Sequence, residues 1–390
     1  MNSIKEINYQ ELKKDVENIK KEIETITPNI SYKHFRKIYY LSNAFYFIGL
    51  VTLPIKPIYI FPWLSLSLGI FSKWTMIGHH VCHGGYDKCG DSNFNRKIFG
   101  LKSFYRRIID WFDWWIIEAW NIEHNNLHHY HLGEISDPDL VEENLSTLRE
   151  IKLPFFIKRI MILPFMCFWK WLYYAPNTYK HYCLNMLRNK NIDQYNKIPK
   201  NIHNTSYTIL DWFINYRPWM RGLFSNVIFP YFFMMFIFIP NLFIFLNYLF
   251  EYNFSLINII SNLILAEIST NIHSFIVIVT NHSGNDLYRF DTHVAPKSGE
   301  FYLRQIISSA NYPAGNDFVD FLHGWLNYQI EHHIFPDMSM IQYRYAMPHI
   351  KQLCYKYSIP YIQENVFIRL SKTSDIMIGK TSMKKFHYKD

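Results

Sequence analysis

Eight histidines define the chemistry this sequence could perform. His79 and His83 stand four residues apart, His124 and His128 repeat the spacing, and His129 follows directly. Near the C-terminal end, Gln329, His332 and His333 fall at i, i+3 and i+4. Residues three or four apart share one face of a helix, so each box aims two imidazoles at a common point. Neutral imidazole suits iron, zinc and copper. The seven histidines of the three boxes are too many for one tetrahedral or octahedral centre with open positions; they fit two metals. His282, in the run Thr280, Asn281, His282, Ser283, Gly284, is the eighth candidate.

Other polar groups surround these boxes. His80 sits between ligand candidates but points about 100° away on a helix, which suits a supporting hydrogen bond. His131 follows the second box and could replace a ligand if that helix bends. His273, His293, His323 and His349 read as packing or surface residues. Metal-bound imidazoles usually donate their other N–H to a carboxylate or carbonyl. Among Glu118, Glu123, Glu134, Asp137, Asp139 and Glu331, the expected partners are Asp137 and Glu331, with caps and surface charges as the alternative. Glu267 and Asn271 lie one turn apart in an apolar segment. Intramembrane polar groups face a cavity or a partner, so this pair reads as a substrate-channel wall or an interhelical hydrogen bond.

The elements that must position these residues are apolar helices. A membrane-crossing helix needs about 20 apolar residues, and four stretches are candidates: 39–54, 58–77, 222–250 and 254–279. Pro54 and Pro57 break the first pair into a hairpin. Residues 151–176 are also apolar but carry Lys152, Lys158, Arg159 and Lys170, which suggests a helix lying in the membrane interface. Residues 1–38 read as a cytosolic region with an amphipathic helix, and 39–390 as one membrane domain. Arg36, Lys37, Lys88, Arg96, Arg106, Arg107, Arg217, Arg221, Arg289 and Arg304 flank the spans on one side. The excess of basic residues puts that side in the cytosol. The spans then form two hairpins, and all three boxes emerge on one side because two spans separate them. The expected fold is an all-α integral membrane protein of four transmembrane helices with a cytosolic helical cap that holds the metals.

Composition agrees. Aromatic residues make up 18% of the 390 residues, and the formal net charge of +8 is spread between apolar segments. That distribution points to an anionic membrane surface and away from nucleic acid. Five cysteines without a CxxC pair suit a reducing, cytosol-facing body.

The boxes HxxxH, HxxxHH and QxxHH resemble those of membrane fatty acid desaturases. The run Gly324, Trp325, Leu326, Asn327, Tyr328, Gln329, Ile330, Glu331, His332, His333, Ile334, Phe335, Pro336 resembles the front-end group, as does Leu353 to Tyr361. The resemblance covers about residues 60 to 365. It implies an endoplasmic-reticulum enzyme that uses two irons and O2 to remove two hydrogens from a lipid acyl chain. It also implies that His79, His83, His124, His128, His129, His282, His332 and His333 bind the irons, and that Gln329 orients a bound water or ligates weakly. Front-end members often carry a fused cytochrome b5 with an HPGG haem motif and have two residues between the first histidines of the second box. This sequence contains no HPGG and has three residues there. Electrons are therefore expected from a separate cytochrome b5, or from a ferredoxin with its reductase. A lipid acyl or sphingoid hydroxylase of the same di-iron class is the alternative. A catalytically silent metal-binding membrane protein is a third reading, from another class.

Overall fold

Glycine and serine bring the first two long helices together. The computed structural model describes residues 7–26 and 28–386. In it Pro28–Val51 folds back against Phe61–Ser72. A Cβ on Gly49 would lie 2.4 Å from the Leu66 nitrogen, and one on Gly69 would lie 2.6 Å from the Tyr46 Cα. Both glycines therefore sit where backbone meets backbone, the small-residue packing that apolar helices use. Ser72 Oγ donates to Ser42 Oγ at 2.8 Å, and Ser65 Oγ to the Phe45 carbonyl at 3.0 Å.

The second helix does not end at Ser72. It widens into a π-helical turn over Lys73–Gly78 and tightens again to α over His79–Cys82. Its other neighbour is Leu256–Ile278, joined to it by Thr270 Oγ1 on Ser67 Oγ at 3.0 Å. From the same helix Asn262 Nδ2 donates to the carbonyls of Leu53 and Ile55, each at 2.8 Å. The turn of the first hairpin, residues 52–60, is thus tied to the start of the last long helix.

Pro218–Phe250 is the remaining long helix, and it is broken by π-helical turns at Leu223–Ile228 and Phe233–Phe238. Pro230 has no N–H to offer the Asn226 carbonyl one turn back. Arg107 Nη1 donates to that carbonyl at 2.8 Å instead. Below these helices Tyr9–Glu24 buries Leu12, Val16 and Ile23. Its polar face pairs with the Met340–Lys356 region through Asp15 and Lys356 at 2.7 Å.

The helices depart from the hydropathy pattern in several places. Among the described residues, two helices are long and apolar enough to cross a membrane, Pro218–Phe250 and Leu256–Asn281, where four were expected. The first pair contains Lys33, Arg36, Lys37 and Lys73, which dilute its apolar character. Residue 38 lies within the continuous helix Pro28–Val51. The fold is mostly helical, but Tyr288–Arg289 and Lys384–Lys385 form a short parallel ladder. In the 151–176 stretch, Phe155–Trp169 exposes Phe156, Ile160 and Leu163 while Lys158 and Lys170 are buried. Lys158 Nζ donates to the carbonyls of Arg149 and Ile378, and Lys170 pairs with Asp113 at 2.8 Å. These two lysines face inward, whereas Lys152 and Arg159 are exposed.

Candidate metal centre

Each box sits where a helix changes pitch or ends. His79 begins the α-helical turn after Lys73–Gly78, and His83 caps it. A Cβ on Gly78 would lie 2.4 Å from the Trp111 ring, so this glycine lets the helix pass that indole. The second box lies in the π-helical segment Asn121–His128, followed by His129–His131. A wider pitch brings residues four apart more nearly into line, and the His124 and His128 rings stack at 5.2 Å and 24°. The third box occupies Gln329–Ile334, entered through Trp325 in left-handed backbone. His282 follows the 3-10 turn Val279–Asn281 that ends the last long helix.

All eight imidazoles converge, in two groups. His79, His83, His124, His129 and His332 have ligand atoms within 4.8 Å of one another, as do His128, His282 and His333. The neighbours His128 and His129 go to different groups, and the His129 and His333 rings stack at 4.4 Å across the gap. Six of the rings are buried, and His124 and His282 are half-buried. Burial holds the His79 imidazole down to about 3 and the His83, His124, His129, His282, His332 and His333 rings well below the usual histidine range. At neutral pH they are uncharged and present lone pairs.

Outer hydrogen bonds set which nitrogen keeps its proton. His128 Nδ1 donates to Asp137 Oδ1 at 2.8 Å, and His333 Nδ1 donates to Gln305 Oε1 at 3.1 Å. Tyr343 donates its hydroxyl hydrogen to the Pro336 carbonyl and so accepts from His332 Nδ1 at 3.0 Å. In these rings the unprotonated Nε2 faces inward. Yet His79 Nε2 lies 3.0 Å from His332 Nε2 and 3.1 Å from His124 Nε2, and His282 Nε2 lies 3.2 Å from His333 Nε2. Buried lone pairs held that close repel unless a cation lies between them. The donor set therefore fits two soft-to-borderline metal ions with nitrogen ligands. Gln329 joins the smaller group, with its amide 2.8 Å from His282 Nε2.

The supporting residues divide. Asp137 accepts from His128 Nδ1, and Asp139 lies 3.7 Å from the same nitrogen. Glu331 touches no ligand candidate. It accepts from Asn311 Nδ2 and the Tyr361 hydroxyl, each at 2.8 Å, while Asn311 Oδ1 accepts from the Ile330 N–H. Glu331 thus braces the third box through the backbone. His80 is buried against His79 and His332, and neither of its ring nitrogens has a hydrogen-bond partner. Glu267 accepts from Tyr231 and Trp114, and Asn271 accepts from the Lys170 N–H. Those are interhelical hydrogen bonds, and neither residue lines the cavity described below. His131 turns away from both groups toward Glu134. Tyr343, Gln305, Asn311 and Tyr361 carry no sequence signal of their roles, because their types are common and their partners lie far off in the chain.

One cavity opens onto the imidazoles. His79, His124, His128 and His282 form part of its wall, and Trp74, Trp120, Trp169, Tyr174, Phe165 and Phe275 form much of the rest. Imidazole nitrogens on one side and aromatic carbon on the other make a site that could hold an apolar chain against a bound metal pair.

Comparison with known proteins agrees with this geometry. Over 75 residues the chain is 35% identical to a Delta(6)-fatty-acid desaturase of Caenorhabditis elegans, 19% of this chain and 16% of the relative. Over 77 residues it is 35% identical to an NADPH-dependent stearoyl-CoA 9-desaturase of Mycobacterium tuberculosis, 19% of this chain and 18% of the relative. These alignments span less than a fifth of either relative. No solved structure matches. The model of the fatty acid desaturase family matches residues 57–365, a stretch that takes in all three boxes and His282. The chain belongs to the fatty acid desaturase family.

Proposed function

We propose that this protein is an O2-dependent acyl desaturase whose eight imidazoles hold two irons at the cytosolic face of the endoplasmic reticulum membrane. The reading rests on one observation: eight imidazoles converge in two groups, and four of them form part of the wall of an aromatic cavity. Iron bound there would supply the O2 activation needed to break an unactivated C–H bond, which side chains cannot do.

The chain's own residues have three tasks. Asp137, Gln305 and Tyr343 keep the His128, His333 and His332 rings in the ligating tautomer. The aromatic walls keep water out and hold one methylene pair near the metals, the positioning that makes a reaction effectively unimolecular. Gln329, where a fourth imidazole of the smaller group would otherwise stand, orients a water or ligates weakly. The overall change takes two hydrogens from a CH2–CH2 unit. With two further electrons and two protons they reduce O2 to two waters. A separate cytochrome b5, or a ferredoxin with its reductase, supplies those electrons. Four spans in two hairpins carry the site.

Expression in yeast with mass spectrometry of total lipids tests this. A product two mass units lighter, dependent on O2, is expected. A gain of one oxygen would identify a hydroxylase, and an iron-loaded protein with no product would leave only a metal-binding role. His128→Ala should abolish product while membrane insertion persists. Full activity in that variant would remove His128 from the ligand set.

A further inference from the structure

A third cluster of metal-binding side chains lies outside the two buried groups. His131, Glu134 and His293 place their ligand atoms within 4.8 Å of one another. His131 Nδ1 is 2.9 Å and His293 Nδ1 is 3.1 Å from the same carboxylate oxygen, Glu134 Oε2. The other oxygen, Oε1, is engaged by the Val294 N–H at 3.3 Å and by Arg304 at 3.4 Å. Ser136 Oγ also donates to Oε2 at 3.3 Å, so the carboxylate is fixed at Oε1 and presents Oε2 to two imidazoles and one hydroxyl. Glu134 is buried, whereas the His293 side chain is 55% exposed, so solvent reaches the cluster from one side.

We propose that His131, Glu134 and His293 form a surface site for a divalent transition metal, Zn2+ being the best fit. Two imidazoles and one carboxylate with one open position match the ligand set of zinc sites. Zinc bonds of about 2.0–2.1 Å set the ligands of a tetrahedron about 3.3 Å apart. The observed nitrogen–oxygen separations need to open by only a few tenths of an ångström. Each imidazole would move its proton from Nδ1 to Nε2, so that Nδ1 can ligate. The position also gives the metal something to hold. Glu134 lies in the loop whose Asp137 accepts from His128, and Phe290 N donates to the Gly133 carbonyl. A metal on Glu134 and His293 would clamp that loop to the 290–294 segment.

The full-length protein, purified with its iron and incubated with Zn2+, tests the site. After desalting, zinc and iron are counted per chain by mass spectrometry. Wild type should gain one zinc with its iron content unchanged. His293→Ala, an exposed position that should not disturb folding, should retain less than about a tenth of that zinc. His293→Cys, which restores a ligand, should recover most of it. Equal zinc in wild type and His293→Ala, or zinc gained only as iron is lost, overturns the proposal. Neither result bears on the buried groups' assignment, which lipid analysis tests separately.

Discussion

Asp137 gives His128 its direction. Its Oδ1 takes the Nδ1 proton, and its Oδ2 accepts from the Gly133 N–H at 2.9 Å, so the carboxylate is itself held in place. A carboxylate can only accept, and that leaves His128 Nε2 as the free lone pair. In Asp137→Asn the amide can turn its NH2 toward the ring and favour the wrong tautomer. Loss of such a supporting partner typically costs about 10–100-fold in metal affinity or activity. Iron content and product yield should both fall by that order, and unchanged values would mean Asp137 serves only the loop. At this scale the sequence is highly legible. Imidazole spacing singles out seven of the converging histidines, and the eighth, His282, is marked by its place just after the last apolar segment. The carboxylates are less legible, since their types are right but their partners depend on the fold. Asp137 reaches a ligand from nine residues away, while Glu331, beside His332, turns its side chain to Asn311 and Tyr361.

The elements owe their positions to details that hydropathy does not register. Apolar runs announce the long helices, yet nothing in them announces the wide turns at Lys73–Gly78 and Asn121–His128. Such π-helical turns are often found at functional sites, and here each adjoins or contains a histidine box. They are set by tertiary contacts, such as the indole that fills the space beside Gly78. The hairpin of Pro28–Val51 on Phe61–Ser72 depends on similar contacts. A side chain at Gly49 meets the Leu66 backbone, which cannot swing aside as a flexible side chain would. Gly49→Val should therefore prevent the pair from closing and abolish folded protein. Ser42→Ala, which loses the hydrogen bonds to Ser72 Oγ and the Gly69 carbonyl but no packing volume beyond one hydroxyl, should cost about 1 kcal/mol. Fluorescence-detected size exclusion and thermal unfolding in detergent separate the two outcomes. A monodisperse Gly49→Val protein with an ordinary melting temperature would contradict the close-packing argument.

Across the whole molecule, the two hairpin turns lie at one end of the bundle and the two imidazole groups lie at the other. Asn258 and Asn262, near the start of the last long helix, donate to the carbonyls of Pro54, Leu53 and Ile55 in the first turn. The second turn, residues 251–255, immediately precedes that helix. His282 follows its far end, 26 residues on. At 1.5 Å per residue that is about 39 Å, enough to cross the roughly 30 Å hydrocarbon core of a bilayer. The first helical pair packs alongside this helix, with Thr270 Oγ1 donating to Ser67 Oγ, although its charged residues dilute its hydropathy. Exposed Phe47, Ile48, Phe232, Phe245 and Leu249 give the outer faces of both hairpins an apolar surface. If both pairs span, residues 52–60 and 251–255 face the lumen, and residues 190–200, joined to the cap that holds the second box, face the cytosol. Glycosylation acceptor sites inserted singly at these three places distinguish the arrangements. Modification in both turns and none at 190–200 is the expected pattern. Modification in the second turn alone would leave two spans and put the first pair on the membrane surface, and His79 would then reach the buried groups without its helix crossing the bilayer.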